Sequence, residues 1–206
     1  MTRAEFDQQF LSEDVRLLCG VDEAGRGPLA GAVFAAAVIL PEDFYMEEIN
    51  DSKALTEKKR EALFPVICEK ALAYSITRVG EDVIDEINIL NATMLAMRNA
   101  IEGLSIKPDM ILVDGNISRN LPEPNVCIKK GDSLSQSIAA ASILAKVARD
   151  RYCKEELAAE FPAYGFEKHK GYGSKKHCEL LCTLGPCKAH RKTFIGKILA
   201  KGQGEC

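Results

Sequence analysis

The stretch LLCGVDEAGRGPLAGAVFAAAVIL, residues 17–40, decides the fold. Two apolar runs, 17–21 and 32–40, are separated by a turn rich in glycine, the pattern of two neighbouring strands in a buried sheet. Asp22 and Glu23 follow the first run and precede Gly25, Arg26 and Gly27. Successive side chains of a regular strand point to opposite faces. For both carboxylates to serve one site, the strand must bulge or end there, which the glycines allow. An exposed acidic pair at a strand end is the equally simple alternative.

Outward from this stretch, residues 56–72 carry apolar positions at helical spacing, with Thr56 as N-cap and Pro65 expected to kink or break the helix. Residues 74–79 alternate like a strand. Residues 83–104 read as a helix ending near Gly103, and 110–113 as a short strand stopped by Asp114-Gly115-Asn116. A strand near 126–128 and a long helix over 133–160 follow. The order β-β-α-β-α-β-β-α predicts an α/β fold, a mixed sheet flanked by helices.

The 206 residues suit one domain, 1–206, with a small helical C-terminal region. No apolar run approaches the ~20 residues that span a bilayer, and the N-terminus lacks the pattern of a secretory signal, so a cytoplasmic protein with no membrane partner is expected. The eight cysteines, Cys206 among them, lack a compact framework of paired spacings and are expected to be reduced. The net charge of −3 hides an asymmetry: residues 168–201 hold nine Lys and Arg against Glu179 alone. The basic C-terminal region, about 161–206, is therefore a candidate for holding a polyanion, with a solvated lysine-rich face as the alternative.

Asp114 closes a strand, and the C-terminal ends of strands in α/β sheets are where catalytic groups gather. Asp132 precedes a helix and reads on its own as an N-cap. Asp150, later on that helix, would pair with Lys154 at i+4. Carboxylates meeting at strand ends raise one another's pKa unless a cation joins them, and oxygen-only ligands select Mg²⁺ or Mn²⁺. A pair of such ions, ~4 Å apart, suits phosphodiester hydrolysis.

GVDEAGRGPLAGAV (20–33), DSKALTEKKRE (51–61), INILNATMLAM (87–97), LVDGN (112–116), KGDSLSQSIAAASILAKVARD (130–150) and HKGYGSKKH (169–177) together resemble bacterial ribonuclease HII, the type 2 ribonuclease H family, over nearly the whole chain. The resemblance implies a ribonuclease H-like fold and a metal-binding, catalytic set of Asp22, Glu23, Asp114 and Asp132, favouring Asp132 over Asp150. It implies an endoribonuclease dependent on Mn²⁺ or Mg²⁺. Such an enzyme cleaves the RNA strand of RNA/DNA hybrids and cuts 5′ of single ribonucleotides in duplex DNA, leaving 3′-hydroxyl and 5′-phosphate ends. The implied role is removal of misincorporated ribonucleotides. By the same resemblance Gly25, Arg26 and Gly27 read the 2′-hydroxyl, Tyr172 packs on the neighbouring sugar, and Lys53 lies near the substrate. Lys146 resembles a position near the site, although a solvated surface lysine is the simpler reading. A monomer is expected.

Other chemistries are readable. Cys178, Cys182, Cys187 and His190 could ligate zinc, but their spacing fits no standard finger, and Cys178 and Cys182 more simply line one helix face. Among His169, His177 and His190, two could act as acid and base of a metal-independent ribonuclease. A nucleic-acid-binding module without activity would explain the basic region and leave the carboxylates unused. The related type 3 enzymes carry an added N-terminal domain, for which the stretch before Asp22 is too short.

Overall fold

The computed structural model describes residues 1–202; residues 203–206, and with them Cys206, lie outside the described residues. Five strands, β1 (Leu18–Ala24), β2 (Val33–Ile39), β3 (Ala73–Val79), β4 (Met110–Asp114) and β5 (Asn125–Ile128), form one sheet in the order β3-β2-β1-β4-β5. The β1/β2 and β2/β3 pairs are antiparallel, whereas β1/β4 and β4/β5 are parallel. The expected mixed sheet is thus present, and its parallel half brings the ends of β1 and β4 together.

The period-2 rule separates the faces of this sheet. Cys19, Val21, Val33, Ala35, Ala37 and Ile39 pack with Ala92, Ala96, Met97 and Ala100 of α3 (Glu81–Glu102). Ala24, Ala36 and Val38 face Ala139, Ala140, Ile143 and Leu144 of α5 (Gln136–Tyr152), with Ile67 of α2 (Glu57–Lys70) behind them. Gly20 lies on the α5 face, where a Cβ would stand 2.1 Å from the carbonyl carbon of Ser137. Its lack of a side chain lets the helix start sit directly on the strand.

Several local expectations change. The helix α2 runs through Pro65 without breaking, and Thr56 caps it as expected, accepting from the Lys59 amide. The backbone of α3 is interrupted at Asn88 (φ 66°), whose side chain accepts from the amides of Leu90 and Asn91 and restarts the helix. The helix expected over 133–160 is in pieces: α4 (Gly131–Leu134), a break at Ser135, α5, a π-turn (Cys153–Leu157) and α6 (Ala158–Glu160). Ser135, not Asp132, is the N-cap of the long helix, since its backbone is extended and its hydroxyl accepts from Ile138. Asp132 instead sits inside the short α4.

A helix not anticipated from the sequence, α1 (Arg3–Gln8), docks at the same place through Asp7. The backbone amide and hydroxyl of Ser137 both donate to the Asp7 carboxylate at 2.8 Å. The C-terminal region adds α7 (Phe166–His169) and α8 (Lys175–Leu184), gathered around Tyr164, Phe166 and Ala30, and α9 (Lys192–Gly202), whose Phe194 packs against the core on the α3 face. Asp85 of α3 fastens α9 by accepting from the Lys192 and Thr193 amides and the Thr193 hydroxyl. This is the charge-favoured position at a helix N-terminus.

Candidate active site

Asp22 of β1 follows Val21, which is in register with Val113 of β4, so Asp22 and Asp114 leave adjacent parallel strands side by side. Both belong to the α5 face of the sheet by alternation. Here α4 crosses the strand ends, its Gly131 amide donating to Asp114 Oδ1 at 2.7 Å. Asp132, the next residue, completes the group: Asp22, Asp114 and Asp132 each offer an oxygen within 4.8 Å of the others. Glu23 departs from the expected foursome. The strand neither bulges nor stops before it, as Glu23 pairs with Ala35 and Ala24 with Phe34. Its carboxylate borders the cleft and takes Arg26 at 3.3 Å instead.

Burial, then repulsion from Glu23 and Asp114, drives the Asp22 carboxyl well above its ordinary value. Burial and then Asp132 raise Asp114, while burial raises Glu23 against the pull of Arg26. Lys53 meets Asp132 at 3.5 Å from the solvent side. Burial opposes its charge, but Asp132, Asp22, Asp51 and Asp114 outweigh it and hold the ammonium above its usual range. One lysine at the rim leaves the trio undercompensated. Three converging hard oxygen donors that repel one another fit a Mg²⁺- or Mn²⁺-type ion.

The segment carrying Lys53 is braced from below. Ser142 of α5 donates to the Ser52 hydroxyl at 2.7 Å, and Arg60 of α2 donates to the carbonyls of Ser52 and Leu55. Asp150, the carboxylate weighed against Asp132, belongs to this brace: it receives Lys146 at 2.7 Å and Arg60 at 3.5 Å. The expected Asp150–Lys154 pair is absent, because Lys154 turns to Glu57. Lys146 is accordingly half-buried and lines the cleft rather than lying on open surface, with its Nζ 5.8 Å from the centre of the Tyr172 ring.

Residues 25–27 and Tyr172 form the other wall of the cleft. Gly25 (φ 100°) is demanded by the fold, since a Cβ there would strike Arg149 Nε at 2.1 Å. Arg191, fully buried, reaches beneath the loop and donates to the carbonyls of Gly25, Arg26, Pro28 and Gly31 at 2.7–2.9 Å. Burial, then Arg149, lowers its pKa to about 10, so it stays charged at neutral pH. Arg149 lies alongside, donating to the Lys170 carbonyl, with its guanidinium 5.5 Å from the Tyr172 ring centre. The Leu29 amide donates to the Gly171 carbonyl, and Ala30 bridges His190, so the C-terminal region is stitched to this loop.

None of the three histidines lines the cleft. Their rings pack on Phe166, His169 stacked on His177 at 4.2 Å. His190 Nδ1 accepts from the Cys187 amide, which places its proton on Nε2, 3.0 Å from His177 Nε2. His177 in turn donates from Nδ1 to the Tyr172 carbonyl at 2.9 Å. Burial lowers both, His190 to about 4 with further repulsion from His177. Neutral rings with fixed tautomers build structure here, which removes the metal-independent reading. Nor do Cys178, Cys182, Cys187 and His190 assemble a zinc site: among the described residues the group able to hold a metal is the aspartate trio. Sequence reasoning missed Arg191 and Arg149 as site-builders; their only signal was arginine in otherwise apolar or motif-dense stretches.

A mixed five-stranded sheet with aspartates ending adjacent parallel strands, and a third supplied from a helix across them, defines a ribonuclease H-type nuclease. Comparison with known proteins agrees. The sequence model described as Ribonuclease HII matches residues 19–197. The Ribonuclease HII of Caldicellulosiruptor bescii is 56% identical over 196 residues, 95% of each chain. Among solved structures, the ribonuclease H2 of Pyrococcus horikoshii OT3 superposes with a TM-score of 0.72 at 28% identity, covering 91% of this chain and 99% of that one. Bst-RNase HIII in complex with Mn²⁺ gives 0.70 at 17% identity, over 94% and 71%, a likeness of fold. The chain belongs to the ribonuclease HII family and is a ribonuclease H enzyme. No helix among the described residues is long and apolar enough to cross a membrane.

Proposed function

We propose that this enzyme hydrolyses the RNA strand of RNA/DNA hybrids and cuts 5′ of single ribonucleotides embedded in duplex DNA, leaving 3′-hydroxyl and 5′-phosphate ends. The observation that carries the reading is the convergence of Asp22, Asp114 and Asp132 within 4.8 Å, in a cleft also lined by residues 25–27 and Tyr172. Asp22, Asp114 and Asp132 would hold the divalent ions, Mn²⁺ or Mg²⁺, with Glu23 at the margin. A pair of bound ions would supply the acidity that activates water and neutralises the leaving oxygen.

The chain's own groups do the rest. Lys53 faces the phosphate side of the carboxylates and offsets charge on a docked strand. The loop of Gly25, Arg26 and Gly27 presents backbone to the 2′-hydroxyl, the group that separates RNA from DNA. Tyr172 packs against the adjoining sugar, its ring flanked by Lys146 and Arg149. Residues 1–206 act as one domain in which the basic region 161–206 helps hold the duplex. The setting is a cytoplasmic monomer that removes misincorporated ribonucleotides.

A DNA duplex with one ribonucleotide, incubated with and without Mn²⁺ or Mg²⁺, tests the reading. One cut 5′ of the ribonucleotide is expected, silenced by EDTA, with a 5′-phosphate on the downstream piece. Cyclic or 3′-phosphate products, or equal cutting of an all-DNA duplex, would overturn it.

A further inference from the structure

We propose that His190 and Arg191, neighbours in the chain, are positioning residues that set the two sides of the sugar-reading wall: Arg191 orients the amides of Arg26 and Gly27, and His190, through His177, anchors Tyr172. The inference rests on the function proposed above and assigns the wall's geometry to residues that do not line the cleft.

In a trans peptide the carbonyl and the next residue's N–H point in opposite directions. Arg191 holds the Gly25 and Arg26 carbonyls from beneath, at 2.7 and 2.9 Å. The Arg26 and Gly27 amides therefore point away from the guanidinium. The Pro28 carbonyl, also held by Arg191, shows the same logic completed: the following amide, of Leu29, points to the Gly171 carbonyl beside Tyr172. The Arg26 and Gly27 amides, by contrast, have no acceptor among the described residues. Two donors are thus left on a loop that lines the cleft, where a hydroxyl could use them. A lysine in place of Arg191 keeps the charge but cannot fork across four carbonyls.

On the other side, the path is Cys187 N–H to His190 Nδ1, His190 Nε2–H to His177 Nε2, and His177 Nδ1–H to the Tyr172 carbonyl. Each link fixes the tautomer of the next, so the His177 bond to the Tyr172 carbonyl depends on His190, 18 positions beyond Tyr172 in the chain. Because His190 and Arg191 are adjacent, the loop and the Tyr172 backbone are referred to a single point. Their separation cannot drift without moving both.

The test compares Arg191→Lys, His190→Gln and His190→Leu with wild type on the single-ribonucleotide duplex at a temperature where each is folded by circular dichroism. Glutamine can still donate to His177 from the place of Nε2; leucine cannot. The expected result is a KM raised about tenfold or more in Arg191→Lys and His190→Leu, with kcat within about threefold because the carboxylates stay in place. His190→Gln should restore most of the KM. A merely structural role would lower the active fraction and kcat with KM unchanged, and that outcome overturns the proposal, as does equal behaviour of the glutamine and leucine variants. Should Arg191→Lys fail to fold, the two His190 variants decide. A wild-type enzyme that cuts no ribonucleotide-containing substrate would sink the proposed function itself, whereas a cutting wild type with indifferent variants sinks only this inference.

Discussion

A Cβ built on Gly27 would lie 4.0 Å from Cε1 of Tyr172, ordinary van der Waals contact, with nothing closer. The protein itself therefore does not require glycine there, whereas Gly25, two residues earlier, has a positive φ and no room. Gly27→Ala should keep its Tm within about 2 °C, while KM for the single-ribonucleotide duplex rises at least about tenfold. Gly25→Ala should lose several °C, since strain and overpacking at such sites cost about 1–3 kcal/mol each. Thermal melts beside steady-state kinetics separate the two; a Gly27→Ala enzyme with native kinetics would show that the methyl meets no substrate.

Asp22→Asn removes a buried charge from a mutually repelling set. Without metal the variant should be more stable than wild type at neutral pH. The sign follows from a folded-state pKa above the unfolded value: the native protein binds more protons, so this group costs stability as pH rises past the carboxylate range. Activity should fall by at least about 10³-fold. Saturating Mn²⁺ at ~100 Kd should stabilise wild type by about 2.7 kcal/mol and the variant by much less. Scanning calorimetry with and without Mn²⁺ reads this directly.

Tyr172 is partly exposed, with its ring beside Lys146 and Arg149. Tyr172→Ala should cost little stability, about 1 kcal/mol from lost cation–π contact, yet raise KM strongly for the single-ribonucleotide duplex. Tyr172→Phe should behave like wild type, because the ring beside Lys146 and Arg149 is kept. Near-native KM in the alanine variant would detach the ring from substrate.

Acid should loosen the C-terminal region before the sheet. His190 has a folded pKa of about 4, below the ordinary 6.5, so the unfolded chain takes up the proton first as pH falls. Its contribution is complete above pH 6.5 and is lost between 6.5 and about 4, amounting at most to roughly 3 kcal/mol. Hydrogen exchange at pH 7 and 5 should show protection dropping first in α7 and α8. A pH-independent profile in wild type, or an equal slope in His190→Gln, would contradict this.

Much of the site was legible because it is local. Asp22 and Asp114 each end an apolar run, and strand pairing does what the pattern announces. Asp132 was harder: whether it capped a long helix or rode inside a short one turned on Ser135 adopting an extended backbone, which no periodicity reports. Asp150 had equal claims by spacing on Lys146 and Lys154, and Glu57, 97 positions from Lys154, took the latter. Glu23 stays close enough to Asp22 to repel it, yet its carboxylate pairs with Arg26 and lies outside the trio, which adjacency in sequence does not report. Arg149 and Arg191 were unreadable as site-builders because their partners are carbonyls, which every residue has.

The grip of Arg191 on carbonyls 160 to 166 positions earlier also orders events in time. A chain emerging from the ribosome can pair β1 with β2 at once and complete its sheet by β5, but the loop at residues 25–31 has no guanidinium to close on until residue 191 is free. All three aspartates of the cleft precede that point. An unfinished chain would thus carry its acidic trio before the loop at residues 25–31 has its anchor, and that wall of the cleft is the last to be made.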